Sequence, residues 1–176
     1  MKIDYLADYP EHCETVARWN FDEWAYLYEN SSYEGFLRGT KANLGKQQIP
    51  STLIAVESNL AIGSASLLLE ENKDRKDLSP WLSSMYVSPQ FRGNGVGRAL
   101  NERVIELARE LGFTVIYLEA FEQHLDFYSK LGWQSIEKII YKNQKATIMS
   151  VDTSSQRANG GNVAITDIDS ANRLDL

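Results

Sequence analysis

The chain has 176 residues, 43% of them hydrophobic, which is enough for one well-buried core and short for two. The 24 acidic residues outnumber the 18 Lys and Arg residues, and the net charge of -6 argues against a general attraction to nucleic acid or anionic membranes. Cys13 is the single cysteine, which excludes an intramolecular disulfide and a multi-cysteine metal site and is compatible with a reducing cytoplasm.

The first residues do not have the pattern of a signal peptide. Asp4 is acidic where an apolar segment would be needed, and no apolar run approaches the roughly 18 residues of a membrane span. We therefore expect a cytoplasmic protein with no membrane partner.

The N-terminal part predicts a short strand over 3–6 and then two helices. Asp8 and Glu11 resemble a capping box at the start of the first helix. The helix has an apolar stripe at helical spacing, formed by Ala17, Phe21, Trp24 and Tyr28. Ser31 and Glu34 give a second capping signal, before a helix that ends near Gly45.

From residue 51 the pattern changes to that of strands. A hairpin is predicted over 52–56 and 61–69, followed by a charged loop over 70–77 that is most simply solvated. The later predicted elements are a strand over 80–87, a helix over 96–111 that stops at Gly112, a strand over 113–118, a short helix over 125–131, and strands over 133–141 and 145–151. Residues beyond 152 have linker composition, although Val163–Ile165 could pin part of this tail.

A glycine-rich turn joins the strand over 80–87 to the helix that follows it. Gly93, Gly95 and Gly97 allow backbone N–H groups to approach an anion closely, and the positive end of the helix adds its attraction. The turn therefore predicts a phosphate site. The turn lacks the Gly-Lys-Ser/Thr ending of a Walker loop, which argues against that kind of nucleotide site. A hairpin precedes the turn, whereas a dinucleotide-binding unit normally stands at the start of the chain, so that unit is disfavoured too.

Two segments carry a resemblance to a known family. The first reads Arg92-Gly93-Asn94-Gly95-Val96-Gly97, preceded by Val87-x-Pro89, and resembles the signature of the GNAT acetyltransferase superfamily. The second reads Phe127-Tyr128-Ser129-Lys130-Leu131-Gly132-Trp133 and resembles the family's second landmark, Phe-Tyr-x-x-Leu-Gly-Phe. Both occur in the family's order, separated by about one helix and one strand.

The resemblance implies an α+β fold over residues 1–151, with 152–176 as a C-terminal tail. Its mixed sheet has about seven strands, splayed between the fourth and fifth, and helices flank it. In this family acetyl-CoA enters the split, with its pantetheine paired to backbone groups that here belong to Met85, Tyr86 and Val87. The pyrophosphate would be bound by the backbone of Arg92, Gly93, Asn94, Gly95, Val96, Gly97 and Arg98, and no metal is implied.

The resemblance makes Tyr128 the proton donor to the leaving thiolate. The base that takes the acceptor's proton is left open, because Trp81 and Ser83 stand where some family members carry Glu or His on the fourth strand. The candidates are Glu119 after the fifth strand, His124, Glu70, Asp77 and ordered water.

The acceptor site is expected near the first two helices and the entrance of the fourth strand. Aromatic residues cluster there and could bind an amine through cation–π contacts, namely Trp19, Trp24, Tyr26, Tyr28 and Trp81. Glu119, after the predicted fifth strand, is a further candidate for binding the acceptor. The alternative for the aromatic residues is a hydrophobic core between two packed helices.

The sequence thus predicts an N-acetyltransferase that transfers acetyl from acetyl-CoA to a primary amine, on a small molecule or a peptide, by direct attack in a ternary complex. One alternative is a non-catalytic acyl-CoA-binding sensory module. The intact Tyr128 motif favours the enzyme, while the missing fourth-strand base keeps this alternative open. Another is transfer of a different acyl group, or to a hydroxyl. A monomer or a homodimer is expected.

Overall fold

The computed structural model describes residues 1–154, which form a seven-stranded mixed sheet and four helices. The strands are β1 (Lys2–Tyr5), β2 (Ser51–Glu57), β3 (Leu60–Leu68), β4 (Trp81–Val87), β5 (Val115–Phe121), β6 (Gln134–Tyr141) and β7 (Gln144–Asp152). The helices are α1 (Cys13–Trp24), α2 (Tyr33–Ala42), α3 (Val96–Glu110) and α4 (Leu125–Lys130). The predicted α+β fold is confirmed, whereas the tail with Val163–Ile165 lies outside the described residues.

The sheet has the order β1-β2-β3-β4-β5-β7-β6 and opens in its middle. Its neighbouring strands are antiparallel except β4 and β5, which are parallel and share the single register pair Trp81 and Tyr117. Beyond that pair, the edge of β4 that faces β5 makes no ladder with it in the described part of the chain. The predicted split between the fourth and fifth strands is therefore present, and it leaves backbone groups of β4 available to a ligand.

Helix α3 covers the centre of the sheet with an apolar face of residues at helical spacing. The side chains on that face are buried, namely Val96, Leu100, Val104, Leu107 and Ala108. Gly112 ends the helix with φ of +86°, and the Phe113 N–H then closes back onto the carbonyl of Ala108 at 3.0 Å. The buried Trp133 donates its indole N–H to Asn101 Oδ1 at 2.8 Å, which fixes α3 against the start of β6.

Both predicted capping signals are wrong in detail. Around Asp8 the chain forms two short 3₁₀ turns, Leu6–Asp8 and Pro10–His12, and no side chain caps α1. The Asp8 carboxylate instead accepts a hydrogen bond from Lys46 at 2.7 Å. The cap of α2 is Ser32, which accepts from the Gly35 N–H at 3.2 Å, since the neighbouring Ser31 hydroxyl is used in a bond to a carbonyl of the preceding turn.

The fifth strand begins and ends later than predicted. Phe113 belongs to the end of α3, and β5 continues to Phe121, so Glu119 lies within this strand and not after it. Burial alternates strictly along β5, with Ile116, Leu118 and Ala120 on the core side. Glu119 therefore points away from the core, on the face that borders the split.

Two further features concern the described residues as a whole. Within 1–154 no helix combines the length and the apolar character required to cross a bilayer. The same residues contain no group of three or more His, Cys, Asp or Glu side chains placed to hold a metal ion.

Candidate active site

A cavity of about 680 Å³ lies where β4 and β5 separate. It is lined by the C-terminal half of β4, the glycine turn, the end of β5, α4 and the loop after α1. A volume of this size is typical of small-molecule sites, which range from about 300 to 1,000 Å³. Most of the residues singled out in the sequence meet on this one cavity.

The glycine turn has the backbone geometry of an anion site. Gly93 and Gly95 have φ of +79° and +80°, and a Cβ placed at either would find nothing within 4 Å. Gly95 is also the N-cap of α3, so the first N–H groups of that helix have no intrahelical partners, and no side chain caps them. This turn fits a ligand that carries phosphate groups.

The other residues of the turn connect it to β4 and α4. Arg92 donates its Nε–H to the Val87 carbonyl at 3.0 Å, which ties the turn to the end of β4. A Cβ at Gly97 would lie 3.2 Å from Phe127 Cζ, so glycine at this position lets α4 approach α3 closely. Arg98 lines the cavity and makes an exposed ion pair with Glu102 at 3.8 Å.

The predicted donor-binding residues lie on the cavity with one exception. Its wall includes Met85, Tyr86, Val87, Arg92, Gly93, Gly95, Val96, Gly97 and Arg98. Asn94, between the two left-handed glycines, is exposed and does not line it.

Tyr128 lines the cavity from α4 and is 9% exposed. Its ring packs against Phe127 and Trp133, with centroid distances of 5.1 and 6.0 Å. No side chain among residues 1–154 hydrogen-bonds to its hydroxyl. Burial raises the pKa of Tyr128, so the phenol stays protonated at neutral pH and can donate a hydrogen bond.

Glu119 is an acidic group of this cavity with a strongly altered environment. Burial, with the nearby charge of Glu71, raises the pKa of Glu119 to about 7, while a hydrogen bond from Asn72 opposes the shift. Asn72 Nδ2 donates to Glu119 Oε1 at 2.5 Å. The second oxygen, Oε2, is buried and has no hydrogen-bond partner within the described part of the chain. Such a carboxylate changes its protonation near neutral pH and has one oxygen free to accept a proton.

Glu71 also lines the cavity, although the sequence suggested only a solvated loop. Burial raises the pKa of Glu71, while a hydrogen bond with Ser83 and the charge of Lys142 offset part of the rise. Tyr141 and Phe36 are further lining residues without a local sequence signal. Nothing in their spacing distinguishes them from residues of an ordinary charged loop, hairpin or helix.

Of the remaining candidate bases, one lines the cavity and two do not. His124 lines the cavity at the start of α4. Glu70 is exposed, and Asp77 is ion-paired with Arg75 at 2.9 Å; neither lines the cavity.

The aromatic residues predicted to bind the acceptor also differ in whether they line the cavity. Trp24 and Tyr28 line the cavity, and Tyr28 also packs edge-on against Phe36 at 6.0 Å. Trp81 and Trp19 do not line it, which corrects their expected place. Trp81 is fully buried, with its indole N–H donated to the Leu78 carbonyl at 2.8 Å, and Trp19 is stacked on Tyr86 at 5.1 Å.

Comparisons with known proteins agree with this architecture. The model of the acetyltransferase (GNAT) family matches residues 5–133. A curated relative, glucosamine 6-phosphate N-acetyltransferase from Trypanosoma brucei brucei, is 33% identical over 78 residues, or 44% of this chain and 53% of the relative. The chain thus spans about half the length of the curated relative that it matches.

Solved structures share the fold over nearly their whole length. An aminoglycoside 6'-N-acetyltransferase complexed with coenzyme A has a TM-score of 0.69 and 16% identity, over 87% of this chain and 97% of that one. The protein yncA from Salmonella typhimurium, solved with acetyl-CoA, has a TM-score of 0.66 and 18% identity, over 86% and 93% of the two chains. At these identities the likeness shows the fold, while the family model covers more than half of the sequence. The chain therefore belongs to the acetyltransferase (GNAT) family.

Proposed function

We propose that the protein transfers an acetyl group from acetyl-CoA to a primary amine, by direct attack of the amine within a ternary complex. The observation that carries this proposal is one cavity bordered by a phosphate-compatible turn, an unpaired strand edge, a protonated phenol and a carboxyl group of pKa about 7. These are the parts that thioester aminolysis requires.

The donor is proposed to bind along β4 and the glycine turn. Met85, Tyr86 and Val87 offer backbone groups on the side of β4 that has no ladder with β5. The N–H groups between Arg92 and Arg98 are proposed to bind the pyrophosphate, supported by the left-handed glycines and the start of α3. The two solved relatives with coenzyme A or acetyl-CoA support the same donor.

Glu119 is proposed as the general base. An alkylamine of pKa about 10.4 costs roughly 4.6 kcal/mol to deprotonate at pH 7, so the reaction needs a proton acceptor. Glu119 Oε2 is buried and unpartnered, and a pKa of about 7 is well matched to proton transfer at neutral pH.

Tyr128 is proposed to stabilise the departing thiolate. Even an unperturbed tyrosine lies about 1.5 pKa units above a thiol, so complete proton transfer to the sulfur costs roughly 2 kcal/mol. Burial raises the pKa of Tyr128 further, which favours a hydrogen bond that strengthens as charge develops on sulfur over complete transfer.

The acceptor is proposed to be a small-molecule amine. The aminoglycoside and glucosamine phosphate named for the relatives are molecules of that class. The non-catalytic alternative drew its support from the missing base on the fourth strand. With Glu119 on β5 bordering the same cavity as Tyr128, that support is lost.

The test is release of free thiol from acetyl-CoA in the presence of a panel of polyamines, amino sugars, aminoglycosides, amino acids and peptides. We expect release with at least one amine, with the acetylated product confirmed by mass spectrometry. Tight binding of CoA without thiol release for every acceptor class would overturn the enzymatic proposal and favour the sensory one.

A further inference from the structure

The turn between β6 and β7 places a lysine ammonium against a residue of the cavity wall. Lys142 and Asn143 form this turn with φ of +46° and +63°. From there the Lys142 side chain reaches the loop after α1, and its Nζ lies 2.9 Å from the centroid of the Tyr28 ring. Tyr28 lines the cavity and Lys142 does not, so the ammonium lies on the ring of a cavity residue from outside the cavity lining.

The surroundings of this ammonium are those that recognise an alkylammonium ion. The ring of Tyr141 is a second aromatic neighbour, at 5.1 Å from Nζ. Glu71 and Glu119 attract the lysine charge, while Lys73 repels it and partial burial lowers the pKa of Lys142. In residues 1–154 no carboxylate lies within 4 Å of Nζ, so the ring holds Lys142 while the two carboxyl groups have no ion pair.

We propose that Lys142 occupies the place of the acceptor's ammonium group, and that the acceptor binds as a cation on the Tyr28 face, beside Glu71 and Glu119, by displacing the Lys142 side chain. The inference rests on the proposed function for the identity of the ligand as acceptor. It restricts the acceptor to protonated primary amines on an unbranched alkyl chain, because the lysine side chain that occupies the site has this shape. Glu119 would then take the proton from an ammonium already bound beside it.

Displacement is physically feasible because Lys142 lies at the tip of a hairpin and is partly exposed. Its flexible stem allows the charge to return to water without rearrangement of β6 or β7. A cation–π contact at such a site corresponds to about a three- to tenfold effect on a competing ligand.

The test is an NMR titration with n-butylammonium, which has the shape of the lysine side chain, in the absence of acetyl-CoA. We expect Lys142→Met to bind this probe three- to tenfold more tightly than the unaltered protein, since the internal competitor is removed. Lys142→Arg keeps a cation and should leave the affinity low. The matched control is Lys145→Met on the same hairpin, which removes an exposed lysine and should change nothing.

Equal or weaker binding by Lys142→Met would overturn the inference, and so would equal binding of neutral n-butanol. If Lys142→Met does not fold, Lys142→Gln tests the same point. Because the titration needs no turnover, its result is separable from the proposed function. Thiol release with unchanged affinity in Lys142→Met contradicts only the inference. Absent thiol release with tighter binding in Lys142→Met contradicts the enzymatic proposal and the ligand's identity as acceptor, while the alkylammonium site itself stands.

Discussion

The two halves of the cavity are built in different ways. The proposed donor half, β4 with the turn over 92–98, is contiguous in sequence and offers mainly backbone groups. The proposed acceptor half consists of side chains from four separate segments, namely Tyr28, Glu71, Glu119 and Tyr141, with Lys142 against the Tyr28 ring. Binding by backbone groups requires a particular backbone conformation, so the donor half is sensitive to residues such as glycine that permit this conformation. Binding by side chains requires particular charges, so the acceptor half is sensitive to the charge and protonation of those side chains.

The largest expected effect breaks the donor half. Gly95→Glu forces a side chain onto a backbone of φ +80° and places a negative charge where phosphate is expected. We expect CoA affinity to fall by at least about 100-fold, measured by calorimetry.

Gly112→Glu is the matched control, with φ of +86°, open space at Cβ and a place at the other end of α3. It should lose about 1 kcal/mol of stability and retain CoA binding. Equal loss of binding in both variants would attribute the effect to folding.

The next effect tests the acceptor half. Glu119→Gln should lower kcat/KM about 100-fold at pH 8, since a general base typically contributes at least that factor. Only the ionised carboxylate accepts a proton, so kcat/KM of the unaltered protein should rise with pH through about 7. The variant should lack this rise. Glu70→Gln, an exposed neighbour of the acidic pair outside the cavity, should keep the full profile. A rise near pH 7 that survives in Glu119→Gln would assign the base elsewhere.

A smaller effect is expected at Tyr128, which is proposed to act where the donor and acceptor halves meet. Tyr128→Phe should lower kcat about tenfold and leave CoA affinity nearly unchanged, because only a hydrogen bond to the leaving sulfur is lost. Tyr117→Phe removes a β5 hydroxyl outside the cavity and should behave like the unaltered protein. Full activity of Tyr128→Phe would show that the proton comes from another group.

The smallest expected effect concerns stability. Because the pKa of Glu119 rises from 4.5 to about 7 on folding, the folded state holds the proton more tightly, and stability falls as pH rises through that interval. Glu119→Gln removes this loss and should stabilise the protein by about 1 kcal/mol at pH 8, after solvent screening is allowed for, and by little at pH 4. Thermal unfolding at the two pH values measures it. An equal shift in Tm at both would contradict the raised pKa.

The same contrast explains what the sequence predicts. The glycine turn and α3 are local patterns that follow from backbone requirements. Together with the Phe127–Trp133 segment, the turn carries the family resemblance that implies the fold and the donor half. The predicted ends of an element are wrong where residues outside it have the same composition as residues inside it. Phe113 has the character of a strand residue but closes α3, so β5 begins at Val115 and not at Phe113. At its other end β5 continues to Phe121 and includes Glu119.

The acceptor half could not be predicted, because aromatic and acidic residues serve a core, a surface and a site equally well. Trp81 is a core residue and Trp24 a cavity residue, yet both are tryptophans near the ends of predicted elements. Glu71 belongs to a charged loop typical of solvated surface. Its position beside Glu119 arises only when the loop after β3 folds over the split, where Asn72 bonds to Glu119.

A crystal structure of the protein with acetyl-CoA would show directly where the donor binds. We expect pyrophosphate oxygens within hydrogen-bond distance of backbone N–H groups between Arg92 and Arg98. We also expect the thioester in the split, with its sulfur beside the Tyr128 hydroxyl and its carbonyl carbon facing the Glu119 side of the cavity. A pantetheine arm outside the split, or a sulfur remote from Tyr128, would contradict this expectation.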